Sequence, residues 1–544
     1  MDRHHVRLTP VLLAALPLAV LGVFFVLPVG EMLRLGLAPH GRLDLGGVVG
    51  TLTRPRVVRV LWFTVWAAAA ATVVTVALGV PTAYALHRLR LPGSALLRGV
   101  VTAPFVLPTV VVGVAFRGLL APSGPLGGLG LDGTPVAIIA ALVFFNLSVV
   151  VRTVGPSWAG LDPRRGEAAA ALGATPWQVL RTVTLPALRP AAVSSAMVVF
   201  LFCATAFGVV LTMGGGRYST VETEIYYLTT QLLDLPAAAA LSVLQLAVVV
   251  GLLALTGRAR PGEQSDRTAP VLRRPRRSDA PVLAVTAVVL AFVVAPLAAV
   301  LVRSLRVDGA WSTARFAALE RPPEDGTLRV PLSQALETSL RVAVDATLLA
   351  MVLGLVVAGL TARGGSRRWR RLRSALDGVF MLPLGVSAVT VGFGLLVALD
   401  TPPLDLRGSP WLVPVAQALV ALPLVVRLVA PALRSVDPRL REAAASLGAR
   451  PSRVLGTVDL PLVWRPVLSA TGFAFAVSLG EFGATSFLAR PDDPTLPVLV
   501  YQLVSRPGAE SFGAGLAAAV VLGLVTSVVV VAVERLRPPG VGAF

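Results

Sequence analysis

"GEAAAALGATPWQVLRTVTLP" (166–186) and "REAAASLGARPSRVLGTVDLP" (441–461) are nearly the same segment written twice. Each is short, polar-edged and closed by Leu-Pro, and each lies between hydrophobic runs too long for a soluble core. Laying Glu167 on Glu442 fixes a single offset between the two copies. The same offset pairs Leu78-Gly79 with Leu353-Gly354, Leu107-Pro108 with Leu382-Pro383, Phe207-Gly208 with Phe482-Gly483, and Tyr226 with Tyr501. Repetition at one fixed spacing marks a duplication running in one direction along the chain.

Composition says where such a chain lives. Of its 544 residues, 55% are hydrophobic and only 14% are charged, with a mean hydropathy of +0.79. That is a bilayer composition rather than a globular one. The formal charge of +19 is carried by arginine alone, since the sequence contains no lysine. Those arginines are scattered between apolar spans, which suits membrane-flanking loops and not a nucleic-acid face. A phosphate-binding loop needs the lysine of G-x-x-x-x-G-K-[ST], so this chain is not itself a P-loop ATPase. The single cysteine, Cys203, excludes an internal disulfide or a cysteine redox pair and reads as a small apolar residue within a span. The four histidines, His4, His5, His40 and His87, form no metal-ligand pattern.

Apolar stretches of spanning length fall at 11–33, 59–86, 98–120, 136–155, 188–213 and 237–256, then at 281–304, 334–361, 376–399, 411–433, 464–488 and 512–534. The first is too long for a signal peptide and has no clean cleavage site, so it reads as a retained helix. The expectation is an all-α polytopic membrane protein of about twelve transmembrane helices in two tandem six-helix halves, 1–256 and 281–544. Between them, 257–280 is rich in Pro, Gly, Ser and Arg, and reads as a polar cytoplasmic linker with little that packs. An even number of spans per half keeps both halves in the same orientation. Arginine-rich loops, among them "RGGSRRWRRLRSA" (363–375), all fall on one side if the N-terminus is cytoplasmic, whereas "APSGPLGGLGLDGTP" (121–135) holds no Arg. Both repeated segments then face the cytoplasm.

Locally each segment spells two short helices. Asp162-Pro163 and Asp437-Pro438 supply an N-cap followed by Pro at the first helical position. "EAAAALG" and "EAAASLG" are strong helix formers stopped by Gly173 and Gly448, where a left-handed residue is cheapest. The run of alanines leaves a face with little side-chain bulk, suited to close approach by a partner surface; alanine also favours helix on its own account.

These two segments resemble the EAA loops of ATP-binding-cassette (ABC) importer permeases, through Glu167, Ala168, Ala169, Gly173, Leu185 and Pro186, and again through Glu442, Ala443, Ala444, Gly448, Leu460 and Pro461. The resemblance implies a type I importer permease fold with both transmembrane halves in one chain. It also implies that the loops dock as coupling helices onto two copies of a separate ATPase subunit, which uses ATP and Mg. An extracytoplasmic solute-binding protein would deliver the solute, the chain would sit in the inner membrane of a bacterium, and this chain would carry no catalytic residue or cofactor. The stretches "LTMGGGRYSTVETEIYYLTTQLLDLP" (211–236) and "SLGEFGATSFLARPDDPTLPVLVYQL" (478–503) are similar to those of thiamine ABC transporter permeases. The Gly214-Gly215-Gly216 run and "TEIY" (223–226) favour these over fused ferric-iron permeases, which share the architecture. A major-facilitator secondary transporter also has twelve helices in two parallel halves, but has no use for two matching elbows and needs more in-membrane carboxylates than this chain offers.

Ionisable residues inside spans are costly and mark candidate sites. Glu481, in the eleventh run, is placed either to face a central cavity and favour a cationic solute or to pair within the bundle or lie near the outer interface; its repeat partner is Ala206. Arg341 and Asp345 are spaced to neutralise each other on one helix face. Asn146 is expected to hydrogen-bond a neighbouring helix. Tyr226 and Tyr501 are expected to anchor the outer interface as belt aromatics.

Overall fold

The computed structural model describes residues 14–39, 41–214, 216–258, 272–321, 329–362, 376, 378–400 and 404–535. In chain order its principal helices are α1 (Ala14–Leu37), α2 (Pro55–Arg88), α3 (Ser94–Val106), α4 (Thr109–Leu120), α5 (Pro135–Ala159), α6 (Pro163–Ala171), α7 (Pro176–Ala204), α8 (Gly208–Met213), α9 (Val221–Thr230) and α10 (Leu235–Arg258). There follow α11 (Ala280–Ser304), α12 (Leu332–Ala362), α13 (Ala388–Ala398), α14 (Leu412–Arg434), α15 (Pro438–Ser446), α16 (451–480), α17 (Thr485–Leu488), α18 (Leu496–Ser505) and α19 (Ala509–Arg535). Among the described residues the only sheet is a small hairpin, Arg306–Val307 with Ala310–Trp311.

Ten of the described helices are long and apolar enough to cross a membrane, and the bent pair α3–α4 makes an eleventh when counted as one span. With 25 residues, α5 is about 37 Å long at about 1.5 Å per residue, which exceeds the roughly 30 Å of a hydrocarbon core. Large apolar side chains such as Trp62, Val73, Val288, Leu348, Leu524 and Val528 point outward and uncovered, as lipid-facing residues do.

Four of the expected runs are not continuous helices. Residues 98–120 bend by 106° at Leu107-Pro108, where Leu107 is extended. Proline lacks the amide hydrogen and disfavours a helical residue before it. The repeat-related Leu382-Pro383 opens a 3-10 turn, Leu382–Gly385, ahead of α13, which breaks the expected run 376–399. Runs 188–213 and 464–488 also stop early: α7 ends at Ala204 and α16 at Gly480, and the short helices α8 and α17 follow each break.

Packing repeats with the sequence. Helices α2, α5 and α7 form one bundle, and α12, α14 and α16 another. The Leu-Gly pairs at 78–79 and 353–354 find their reason here: a Cβ on Gly79 would lie 2.7 Å from Val150, and one on Gly354 would lie 2.5 Å from Val425. The two valines are themselves related by the repeat offset. Small residues at such crossings let helix backbones approach in lipid, where apolar burial alone does not drive association. The first amide of α9, from Val221, donates to Thr64 Oγ1 at 3.0 Å, and the first amide of α18, from Leu496, donates to Ser339 Oγ at 2.6 Å.

Contacts between the two parts of the chain are reciprocal. Helix α9 packs on α13 while its repeat mate α18 packs on α4; α1 reaches across to α13, and α11 to α2 and α4. The end of the linker is not loose. Arg273 exchanges backbone hydrogen bonds with Arg88 and Arg90 at 3.0 and 2.8 Å, and its guanidinium grips Asp279 at 2.6 Å and the hydroxyl of Tyr84. The expectation that 257–280 has little to pack is therefore corrected for 272–279. The basic loop at 363–375 lies outside the described residues.

Substituting Gly79→Val or Gly354→Val is expected to cost about 1–3 kcal/mol each by overpacking. Gly359→Val, on the same helix as Gly354 with no neighbour within 4 Å of its virtual Cβ, is the control for helix propensity. Thermal unfolding of the purified proteins in one detergent checks this; equal melting temperatures for Gly354→Val and Gly359→Val would contradict the close crossing.

Candidate functional site

The two elbows are built alike from the backbone up. The Asp162 carboxylate accepts from the Arg164 amide at 3.0 Å and Asp437 from the Arg439 amide at 2.9 Å, which caps α6 and α15 at their first turns. Each helix is nine residues long and stops at a left-handed glycine, Gly173 with φ 88° and Gly448 with φ 81°. Beyond the glycine, the amides of Ala174 and Ala449 return to the carbonyls of Ala169 and Ala444 at 3.1 and 3.0 Å, closing a C-terminal cap. A proline then begins the second limb, which runs through a π turn at Leu180–Thr184 or Leu455–Asp459 into a long helix.

Glu167, Ala168, Glu442 and Ala443 are exposed, while Ala169 and Ala444 are half-buried, and each elbow helix packs against its own second limb. Glu167 and Glu442 form no ion pair among the described residues. The residue just before each glycine was not singled out from the sequence: Leu172 is 90% exposed and Leu447 is 89% exposed. Full burial of a leucine is worth about 1.5–3 kcal/mol. Its presence ahead of Gly in both copies is the signal that points to it.

The elbows differ in how they are tied down. In the second, Arg441 grips buried Asp459 at 2.6 Å and the Leu433 carbonyl at 2.8 Å, fastening α15 to the end of α14. The corresponding residues of the first are Gly166 and Thr184. There the second limb relies on a local capping box, Thr175 amide to Gln178 Oε1 at 2.7 Å and Gln178 amide to Thr175 Oγ1 at 3.3 Å.

A second assembly lies where the broken helices meet. Phe207 stacks on its repeat mate Phe482 with centroids 5.3 Å apart, and Tyr226 meets its repeat mate Tyr501 edge-on at 6.3 Å. Phe207 also contacts Tyr226, and Phe482 contacts Tyr501, each pair at 5.5 Å. Tyr226 and Tyr501 are thus corrected from belt anchors to members of one aromatic cluster, because their rings are part-buried against each other and against Phe207, Phe482 and Phe487. Glu481 caps α17: its carboxylate accepts from the amides of Ala484 and Thr485 at 2.8 and 3.0 Å and from Thr485 Oγ1 at 2.6 Å. These contacts all lie at the start of α17, within three to four residues of Glu481 itself. Gln417 Nε2 donates onward to Thr485 Oγ1 at 3.0 Å. Glu222, missed in the sequence, is fully buried and accepts from Gln245 Nε2 at 2.7 Å and from Ser387 Oγ, across the repeat boundary, at 3.0 Å.

Other expectations divide. Arg341 does not pair with Asp345; it reaches Asp493, in the loop ahead of α18, at 2.8 Å. That loop folds back on α12 and offers a carboxylate that sequence spacing does not reveal. Asn146 donates to Cys203 on α7 at 3.4 Å, as interhelical glue does. Among the described residues no group of three or more His, Cys, Asp or Glu is placed to hold a metal.

Comparison with known proteins bears on this geometry directly. The family model "Binding-protein-dependent transport system inner membrane component" matches twice, over 75–259 and 350–538, so that each match contains one elbow and one Phe-Gly break. The thiamine transport system permease protein ThiP of Brucella abortus (strain 2308) is 29% identical over 464 residues, 82% of each chain. ThiP of Escherichia coli (strain K12) is 28% identical over 496 residues, 88% of each, and that of Haemophilus influenzae 25% over 448 residues, 79% of this chain and 80% of the relative. A solved bacterial ABC transporter involved in alginate import covers 45% of this chain and 92% of its own at a TM-score of 0.39 and 15% identity. No finding favours the ferric-iron or major-facilitator alternatives. With two family matches that together span most of its length, the chain belongs to the binding-protein-dependent transport system inner membrane components: it is a multi-pass inner-membrane permease of an ABC importer.

Proposed function

We infer that this permease is the transmembrane part of a thiamine importer, with both six-helix halves in one chain: 1–256 and 281–544, joined by 257–280, twelve spans in all and the N-terminus in the cytoplasm. An extracytoplasmic binding protein hands over thiamine or its phosphates. Two copies of a separate ATPase subunit, which use ATP and Mg, each receive one elbow. The observation that carries this reading is the pair of matching, outstanding elbows, each with an uncovered leucine beside a left-handed glycine. An exposed leucine at the tip of an alanine-faced helix is a knob that a groove on a partner would bury, recovering free energy that water does not. That the three named relatives are thiamine transport system permeases supports thiamine as the solute.

Glu167, Ala168, Ala169 and Gly173, and Glu442, Ala443, Ala444 and Gly448, are then the ATPase-coupling residues. Closure of the ATPase dimer draws the elbows together, and their long second limbs carry that motion into the membrane. Glu481 serves the substrate pathway as part of its wall, holding the break after α16 in shape.

Radiolabelled thiamine uptake by cells lacking other thiamine importers, with the chain expressed beside its ATPase and binding protein, tests the whole reading. Uptake that collapses on ATP depletion is the expected result; ATP hydrolysis with no accumulation of thiamine would move the substrate elsewhere. Glu167→Lys combined with Glu442→Lys is expected to abolish uptake while the chain still reaches the membrane, and normal transport by that variant would remove the coupling assignment. Asp459→Asn breaks the clip on the second elbow alone. It is expected to lower coupled uptake several-fold, whereas Thr184→Val, at the unclipped equivalent position, leaves it within twofold; equal effects would show that the clip plays no part.

A further inference from the structure

In an object with approximate two-fold symmetry, a residue touches its own symmetry mate only on the axis. Phe207 and Phe482 do so, and so do Tyr226 and Tyr501, each pair being related by the repeat offset. A solute path between two repeat-related halves runs along that same axis. The rings therefore stand in the path and not beside it. Phe207 and Phe482 are buried, and Tyr226 and Tyr501 are part-buried at the margin of the cluster. Phe487 adds a further edge-on contact to Tyr226 at 5.4 Å.

The backbone around the rings is made to come this close. A Cβ on Gly208, after Phe207, would overlap Thr109 Oγ1; one on Gly483, after Phe482, would lie 2.9 Å from the Ala388 side chain. Each Phe-Gly break is thereby pressed against the start of the helix that follows a Leu-Pro break. A Cβ on Gly480 would sit 3.2 Å from Pro108, bringing the end of α16 against the other repeat. The cluster's depth follows from α7: Leu185–Ala204, 20 residues, separates the elbow from Phe207 by about 30 Å at about 1.5 Å per residue, one hydrocarbon thickness away from the ATPase side.

We propose that Phe207, Tyr226, Phe482 and Tyr501 form an aromatic gate that seals the path on the side away from the elbows and parts when the two repeats separate. The proposal rests on the two-half importer reading. Because Phe207–Phe482, Tyr226–Tyr501 and Tyr226–Phe487 each join one repeat to the other, a motion that separates the repeats opens all three contacts together, while Phe207–Tyr226 and Phe482–Tyr501 stay within their own repeats. Each ring brings a large apolar surface to the contact and packs edge-on, tilted or stacked against the next.

The test uses the permease with its ATPase subunits in proteoliposomes. Cys203→Ser removes the sole cysteine, and Tyr226→Cys with Tyr501→Cys places one thiol on each side of the axis. A short bifunctional thiol reagent is expected to cross-link this pair in the nucleotide-free complex, with yield falling at least fivefold when ATP and vanadate trap the ATPase dimer. Equal yield in both states overturns the gate. In the second arm, Phe207→Ala with Phe482→Ala is expected to raise ATP-independent entry of radiolabelled erythritol at least tenfold over the parent; vesicles as tight as the parent's also overturn it, leaving the rings a packing role. Neither readout requires thiamine, so the gate can fail while the substrate stands, and the substrate can fail while the gate stands. Should the alanine variant not assemble, the cross-linking arm decides alone.

Discussion

Hydrocarbon offers no hydrogen-bond partner to a peptide group, and the rest of this structure follows from how its broken helices meet that constraint. Each break frees amides and carbonyls that would be ruinous against lipid. Here they are buried and stitched. The Ala206 carbonyl takes the Thr220 hydroxyl at 3.1 Å, the amides that open α17 go to Glu481, the first amides of α9 and α18 go to Thr64 and Ser339, and Ser387 caps α13 while donating to Glu222. Several of these donors and acceptors lie on a different helix from the one they complete. The breaks therefore exist only in the assembled bundle, and they draw the bundle together at its centre.

Duplication doubles each solution and leaves room for differences. Glycine against valine at the helix crossing, hydroxyl against amide at α9 and α18, and left-handed glycine at the elbow all occur in both copies. Other positions diverge: Glu481 stands where the first copy has Ala206, and the Arg441–Asp459 pair stands where it has Gly166 and Thr184. A buried carboxylate in a span is costly, and both Glu222 and Glu481 meet neutral donors only among the contacts they make. The two repeats thus share their packing but place their buried carboxylates at different positions, Glu222 in the first and Glu481 in the second.

The elbows and the aromatic cluster sit at opposite ends of the same helices. Helix α7 begins as the second limb of an elbow and ends at the Phe207 break; α16 does the same between the second elbow and Phe482. A displacement at one end has a continuous, hydrogen-bonded route to the other.

Much of this was legible in the residues alone. Spans, duplication, elbow boundaries and caps are written in local chemistry: apolar run length, Asp-Pro starts and left-handed glycines act over a few residues, and a linear reading sees them. The Leu-Pro and Phe-Gly doublets were visible as repeats, yet their meaning was not, because a proline in an apolar run breaks a span only when neighbouring helices can satisfy the freed backbone. Tyr226 and Tyr501 read as interface anchors, Arg341 as the partner of Asp345, and Glu222 as nothing in particular, since each depends on a partner that lies far away along the chain. The sequence by itself determined that the chain is a duplicated membrane protein with two matching elbows, for these follow from apolar run length, one fixed repeat offset and local caps, and its kinship to permeases rested on the resemblance of those elbows to EAA loops. Tertiary structure alone decided that the repeats meet ring to ring, because only the packed bundle brings a residue face to face with its own copy.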